Sequence, residues 1–382
     1  MSITKRENLR RILRGESPAW VPFALNFRQW FQHHDDNDSL PEELAGGGDY
    51  LDAMKILDAD IFSRNLGIGL QKEYVDGCAP QVETVDGQQG PRTITRWTTP
   101  HGELCSVSET QTAITASYEV EDLVKDWDRD GRAYLWIQER LRRTWDPAPF
   151  EAMDARVGDD GLVLVSLGNT PLKKLHVDFG LDGASFFMMD EPDAARTVCD
   201  LYWERTWPAL QELAADDRID AVIFMDNVDT PFYPPALARL YWAPYVRQAV
   251  DLFEPAGKRV FVHACGQLRG LIDVFKECGV HGLEGMAHPP LGDFRIADAK
   301  QVHDRFIYNG GFSAHEQVTM TDDEVRTFYD AFFAELDGWP RFIFGAACQT
   351  AITTTWERIK LARDCCRLHG GRPAADQSRP ER

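Results

Sequence analysis

The chain has 382 residues, with 61 acidic and 41 basic side chains, so its formal net charge is −20 with histidine neutral. Hydrophobic residues make up 43% of it, a globular level that excludes a disordered or collagen-like chain. The acidic balance argues against a protein built to grip nucleic-acid phosphates, which needs clustered lysine and arginine, and the length suits either two or three domains or one long α/β barrel.

Thr4-Lys5-Arg6-Glu7 reads as a capping box. Leu9, Ile12 and Leu13 then give a helix its apolar face, and Gly15 ends it. The arginines at 6, 10, 11 and 14 read as a solvated helix face. Met1 to Gly15 carries no apolar stretch of the secretory kind, and no segment approaches the length of a membrane helix, so the cytoplasm is the expected location. A polar, acidic loop follows at His33 to Ser39. Alternation from Thr93 to Thr115 around Pro100-His101-Gly102 predicts a β-hairpin within a partly β region that reaches to about residue 150.

Beyond that point short apolar runs alternate with helical patterns. Leu162–Leu167, Ala221–Met225, Arg259–Val262, Gly282–Glu284, Phe306–Tyr308 and Phe342–Phe344 read as buried strands. Helices are predicted over Pro235–Phe253, Leu268–Cys278, Asp322–Leu336 and Thr355–Leu368. This rhythm implies repeated βα units, either a (β/α)8 barrel or a doubly wound sheet. Residues 1–369 are expected to form one barrel unit, with 1–150 as N-terminal decoration and first strands and 151–369 as the main repeats. The Pro-, Gly- and charge-rich tail from 370 to 382 is expected to be disordered. No G-x-G-x-x-G or P-loop sequence is present to mark a nucleotide site.

Several runs end in polar or reactive residues: Asn169, Asp226, His263, Glu284, Asn309 and Cys348. In a barrel the chemistry sits at these strand ends. His263-Ala264-Cys265-Gly266 is the sharpest feature, because residues i and i+2 of a strand face the same side. Cys348 lies beyond the Phe342–Phe344 run, and Glu284 ends the strand between. One imidazole, two thiols and a carboxylate suit tetrahedral zinc. Two thiolates and one carboxylate would outweigh the charge of the ion. Such a site is poor at activating water but able to lower the pKa of an incoming thiol. Cys278 competes as a ligand but falls in a helical pattern, and the remaining cysteines fit burial in a reducing compartment. Asp226 and Asn227 are the catalytic candidates, as hydrogen-bonding groups at a strand end, and a structural role for them is the alternative. Arg28 and Asn309 are the substrate-binding candidates, the former for an anion. His288 and Glu316 are acid–base candidates.

The chain resembles the uroporphyrinogen decarboxylase superfamily. The resemblance rests on Thr4-Lys5-Arg6-Glu7-Asn8 with Gly15 and Val21-Pro22, on Thr99-Pro100-His101-Gly102, and above all on Val262-His263-Ala264-Cys265-Gly266, Pro289-Pro290-Leu291-Gly292-Asp293 and Asn309-Gly310-Gly311. It spans nearly the whole chain and is weakest in the first third. It implies a (β/α)8 barrel with an N-terminal extension. One branch of that superfamily, the cofactor-free decarboxylases, carries Met-Arg-Gln-Ala-Gly-Arg near its start, of which only Phe27-Arg28-Gln29-Trp30 remains here. The other branch comprises zinc-dependent methyltransferases that act with methylated corrinoid proteins. Their pattern is His-x-Cys, a downstream Glu and a distant Cys, which His263, Cys265, Glu284 and Cys348 match residue by residue. The resemblance therefore implies zinc at these four residues and a methyl group moved between a methylcobalamin-type carrier and a thiol. No D-x-H-x-x-G sequence marks a corrinoid domain within the chain, so a separate corrinoid protein is the expected partner beside a small-molecule substrate. The alternatives are a decarboxylase of a polycarboxylate using Arg28 and Asp226, a non-catalytic corrinoid- or metal-binding protein, and a purely structural zinc.

Overall fold

The structure is a computed structural model that describes residues 3–112 and 116–371. The expected tail lies outside the described residues from position 372 onward.

Among the described residues, twelve strands fall into three groups. In chain order they are β1 (Gln71–Tyr74), β2 (Gln81–Asp86), β3 (Pro91–Thr99), β4 (Gly102–Gln111), β5 (Ala116–Glu121), β6 (Leu141–Thr144), β7 (Leu164–Gly168), β8 (Ala221–Val228), β9 (Arg259–Ala264), β10 (Gly282–Met286), β11 (Ile307–Phe312) and β12 (Phe342–Ala346). Strands β7 to β12 form one parallel sheet in sequence order, and helices fill the crossovers between them. Short hydrogen-bonded segments continue the sheet past both edges. Ala24 N donates to Phe344 O at 2.8 Å and Asp60 N donates to Phe23 O at 2.8 Å. Ile61 N donates to Asp160 O, and Leu162 N donates to Ile61 O, both at 2.8 Å. The segments around Phe23 and Ile61 thus bridge β12 back to the entry of β7. The chain adopts the α/β fold expected of the (β/α)8 barrel class, with two of its eight staves reduced to single bridges.

Two apolar cores follow from the two faces of the parallel strands. One cluster joins Leu162, Leu164, Ala221, Ile223, Phe261, Ile307 and Ile343 to Leu9, Ile12 and Leu13 of the helix Lys5–Arg14. These strand residues alternate with others that pack outward against the helices, so they line the barrel interior. The N-terminal helix closes the end where the strands begin: Arg10 pairs with Asp220 at 3.0 Å, and Arg259 Nε donates to Leu13 O at 2.7 Å. The other end, where β8 to β12 terminate, holds the reactive residues.

The predicted hairpin is present, with Thr99 opposite Gly102. It is the centre of a four-stranded antiparallel sheet in the order β2-β3-β4-β5, inserted between the second stave and β7. The strands run further than their apolar runs. Asp226 and Asn227 lie inside β8, and Asn309 lies inside β11. The predicted helix Pro235–Phe253 breaks at Trp242 into Pro235–Tyr241 and Ala243–Phe253. No helix among the described residues is long and apolar enough to cross a membrane.

Candidate metal centre

Strand parity sets the site. Phe261 faces the barrel interior, so His263, two residues on, faces it too. Gly282 stands opposite both Phe261 and Ile307, which gives Glu284 the same orientation, between His263 and Asn309. Cys265 follows the end of β9, where its N–H still donates to Val228 O at 3.0 Å. Cys348 follows β12 with φ at 75°, a left-handed backbone unusual for a residue with a Cβ. Its carbonyl is fastened there by Asn26 Nδ2 at 3.1 Å and by both terminal nitrogens of Arg64 at 3.1 and 3.2 Å. Strain held by several partners in this way is characteristic of functional sites.

The ligand-capable atoms of His263, Cys265 and Cys348 lie within 4.8 Å of one another. His263 Nε2 is 3.6 Å from Cys348 Sγ. Glu284 occupies a different position from the fourth-ligand place expected of it. One of its oxygens lies 2.6 Å from His263 Nδ1, on the side of the ring away from Cys348, and Arg64 reaches its two oxygens at 2.6 and 2.8 Å. An ionised carboxylate only accepts, so Nδ1 carries the proton and Nε2 is left to face the thiols. This is how carboxylates stand behind metal-bound histidines. Gly285 makes the arrangement sterically feasible: its φ is +94°, and a Cβ there would fall 2.6 Å from His263 Cε1.

Charge is concentrated in this small, buried space. Burial and Arg64 press the His263 pKa down, while Glu284 and Cys348 raise it; the balance lies above the usual histidine value. Burial raises Glu284, but Arg64 and His263 outweigh it and hold the carboxyl below its ordinary range. The two thiols divide one proton unequally. A hydrogen bond from Cys265, with help from His263 and Arg64, pulls the Cys348 thiol down, and Cys265 is correspondingly raised. The lowered Cys348 thiol is close to the thiolate a zinc ion would need, whereas His263, raised by Glu284 and Cys348, would give up its Nε2 proton when such an ion bound. The His, Cys, Cys set thus fits zinc and leaves one tetrahedral position to be filled.

The remaining candidates separate. Asn227 has φ at 51° and borders a cavity of about 320 Å³ beside Cys265, together with Lys173, His176, Asp229, Phe232 and Tyr233. Asp226, its neighbour, differs from expectation because parity turns it outward. Its buried carboxylate accepts from Thr170 N at 2.9 Å, Thr170 Oγ1 at 2.7 Å and Trp242 Nε1 at 2.8 Å, and burial raises its pKa. That is a structural arrangement, not a group open to substrate. Asn309 is buried next to Glu284 in register, with its Oδ1 against Gly345. Arg28 is exposed, its guanidinium 5.7 Å from the Tyr50 ring centre, and it donates to Gln32 at 3.4 Å. Arg64 is the arginine that enters the site. Cys278 is buried in the helix Ile272–Cys278 and donates to Phe275 O, outside the cluster. His288 and Glu316 are buried together, Nε2 to Oε1 at 3.3 Å, as a separate pair.

The fold and this cluster define an α/β barrel protein with a His, Cys, Cys cluster able to hold a metal at the C-terminal ends of its strands. Residues 180–369 match the family model described as uroporphyrinogen decarboxylase (URO-D). Among solved structures the chain is similar to a "methyltransferase from Methanosarcina mazei", with 12% identity, a TM-score of 0.58, and coverage of 96% of this chain and 99% of that one. It also aligns with a D-psicose 3-epimerase in the presence of D-fructose, at 11% identity, TM-score 0.36, and coverage of 59% and 85%. A D-psicose 3-epimerase with D-tagatose from Clostridium cellulolyticum H10 aligns at 10% identity, TM-score 0.36, and coverage of 58% and 85%. No curated protein matches the chain.

Proposed function

We propose that the chain is a zinc-dependent methyltransferase that moves a methyl group between a corrinoid carrier, presented by a separate protein, and a thiol or similar acceptor. The observation that carries this reading is the convergence of His263, Cys265 and Cys348 within 4.8 Å at the barrel mouth. The superfamily match over residues 180–369 and the fold shared with a structure titled a methyltransferase support it.

His263, Cys265 and Cys348 would hold the ion. When bound, zinc supplies a lowered thiol pKa, so that an acceptor is presented as thiolate at neutral pH. Glu284 fixes the tautomer and tilt of His263, and Arg64 balances the charge of Glu284 while pinning the Cys348 carbonyl. As thiolate ligands, Cys265 and Cys348 would keep electron density on a bound ion and so favour an attacking sulfur over an activated water. The cavity beside Cys265 is the acceptor's place, with Asn227, Lys173 and His176 available to bind its polar end. Burial presses the His176 pKa down to about 4, so it is neutral at pH 7 and able to accept or donate.

The test is a methyl-transfer assay with free methylcobalamin and a panel of thiols, on protein carrying one zinc per chain. Turnover that disappears in Cys348→Ser supports the proposal. No turnover with any thiol in zinc-loaded protein counts against it.

A further inference from the structure

We propose that the cavity between the four-stranded sheet and the barrel wall binds a small zwitterion with an apolar body, an apolar α-amino acid by chemical class. This site is separate from the metal centre.

The sheet supplies one wall through strand parity. Thr95 and Trp97 of β3 share a face, as do Ser106 and Ser108 of β4. Pairing extends the row: Thr95 stands opposite Val82 and Ser106, and Ser108 stands opposite Glu119. All these residues border one cavity of about 370 Å³. The opposite wall carries Lys72 and Tyr74 of β1, Gln138 of the helix Trp127–Arg140, and Lys174 and Asp178 of the helix Pro171–Phe179.

The charges in this cavity are unevenly matched. Lys174 and Asp178 pair with each other, and Tyr134 also donates to Asp178 at 2.5 Å, so these are spoken for. Among the described residues, the exposed side chains of Lys72 and Glu119 form neither an ion pair nor a hydrogen bond, although both border the cavity. Two polar atoms in the walls are also unmatched. Gln138 is 2% exposed with Oε1 unpartnered, and Trp97 Nε1 is buried without an acceptor. Buried polar atoms are normally paired, and exceptions ask for a missing partner. A carboxylate for Lys72, an ammonium shared by Glu119 and Gln138 Oε1, and an apolar body against the rings of Trp97 and Tyr74 would match these walls, Trp97 Nε1 aside. Burial is the largest cause moving Lys72 below and Glu119 above their ordinary pKa values, and the attraction between the two groups opposes both shifts. The sheet contributes little core of its own: β2 and β5 are exposed over nearly their whole length.

Titration calorimetry on the full chain tests this with L-leucine and L-phenylalanine as probes. N-acetyl-L-leucine, which lacks the ammonium, and L-leucinamide, which lacks the carboxylate, are the comparisons. The expected result is one saturable site for at least one of the two amino acids, with both comparison compounds at least about 10-fold weaker. Lys72→Met and Glu119→Gln are each expected to weaken the amino acid at least about 10-fold, with unchanged melting of the unliganded protein. Cys348→Ser is expected to leave binding unchanged, which keeps this result independent of the metal centre. Absence of saturable binding for both amino acids, equal binding of the comparison compounds, or unchanged binding in both variants would overturn the proposal. The comparison of probes on the unmutated chain decides the matter even where a variant folds poorly.

Discussion

Replacing Glu284 by glutamine separates an orienting role from a ligating one. The carboxylate is 4% exposed and takes three short contacts, two from Arg64 at 2.6 and 2.8 Å and one from His263 Nδ1 at 2.6 Å. Glutamine keeps the volume and one acceptor but loses the charge and turns an amide N–H₂ toward one of two donors. Removing one partner of a buried ion pair costs about 3–5 kcal/mol. Arg64 keeps the Cys348 carbonyl at 3.1 Å, which places the expected loss near the lower end of that range. A group standing behind a metal-bound histidine contributes about 10–100-fold in metal affinity. Zinc competition against a chromophoric chelator near neutral pH reads this directly, and melting of metal-free protein reads the stability. The prediction is one zinc per chain, bound about 10–100-fold more weakly. Complete loss of zinc would make Glu284 a ligand in its own right. Unchanged affinity would mean that the carboxylate does not orient His263.

Three further outcomes are expected. Gly285→Ala places a Cβ 2.8 Å from His263 Nδ1 at a backbone φ of +94°; a stability loss of at least about 1–2 kcal/mol from the backbone alone, with weakened zinc binding, should appear in melts and competition titrations, and retention of both would refute the steric argument. Asp226→Asn should lower stability by about 1–3 kcal/mol through one mismatched donor, while the activity of the folded fraction stays within a few-fold; a large loss of turnover at unchanged melting temperature would make Asp226 catalytic. Burial holds His281 down to about 3 and His176 and His288 each to about 4, and His281 Nδ1 accepts from Val260 N at 3.0 Å. The unfolded chain therefore takes these protons first, so their contribution is complete above the ordinary histidine pKa and lost as pH falls toward 4 and then 3. Each contributes up to about 1.4 kcal/mol per pH unit in that window. Glu316, raised to about 7 by burial, acts in the opposite sense as its carboxyl is protonated. Urea unfolding across this range should show a net fall in stability toward acid, and a flat profile would contradict the assignment.

How much of this was legible follows from what sequence patterns encode. Period-two alternation places His263 on the same face as Phe261, and strand endings locate Cys348, so the convergence of His263, Cys265 and Cys348 is legible in the sequence, while the place of Glu284 behind the His263 ring is not. Strand endings alone do not give the face, so they do not separate Asp226 from Asn227. Ile223 faces inward and Val222 and Phe224 outward, which sends Asp226 outward toward Trp242. Arg64 was missed because the stave before it is a single bridge at Ile61, too short to show a pattern. A long-range ion pair such as Arg64 with Glu284 leaves no local trace at all. The hairpin β3-β4 was visible through its turn, whereas β2 and β5 lack a buried face and so show no alternation.

The central claim is tested most directly by zinc K-edge X-ray absorption on the zinc-loaded protein, before and after addition of an acceptor thiol. The account predicts two sulfur ligands at about 2.3 Å and at least one nitrogen, rising to three sulfurs with the thiol and falling to one in Cys348→Ser. A zinc shell without sulfur, or protein that takes up no zinc after reconstitution in the reduced state, would contradict it.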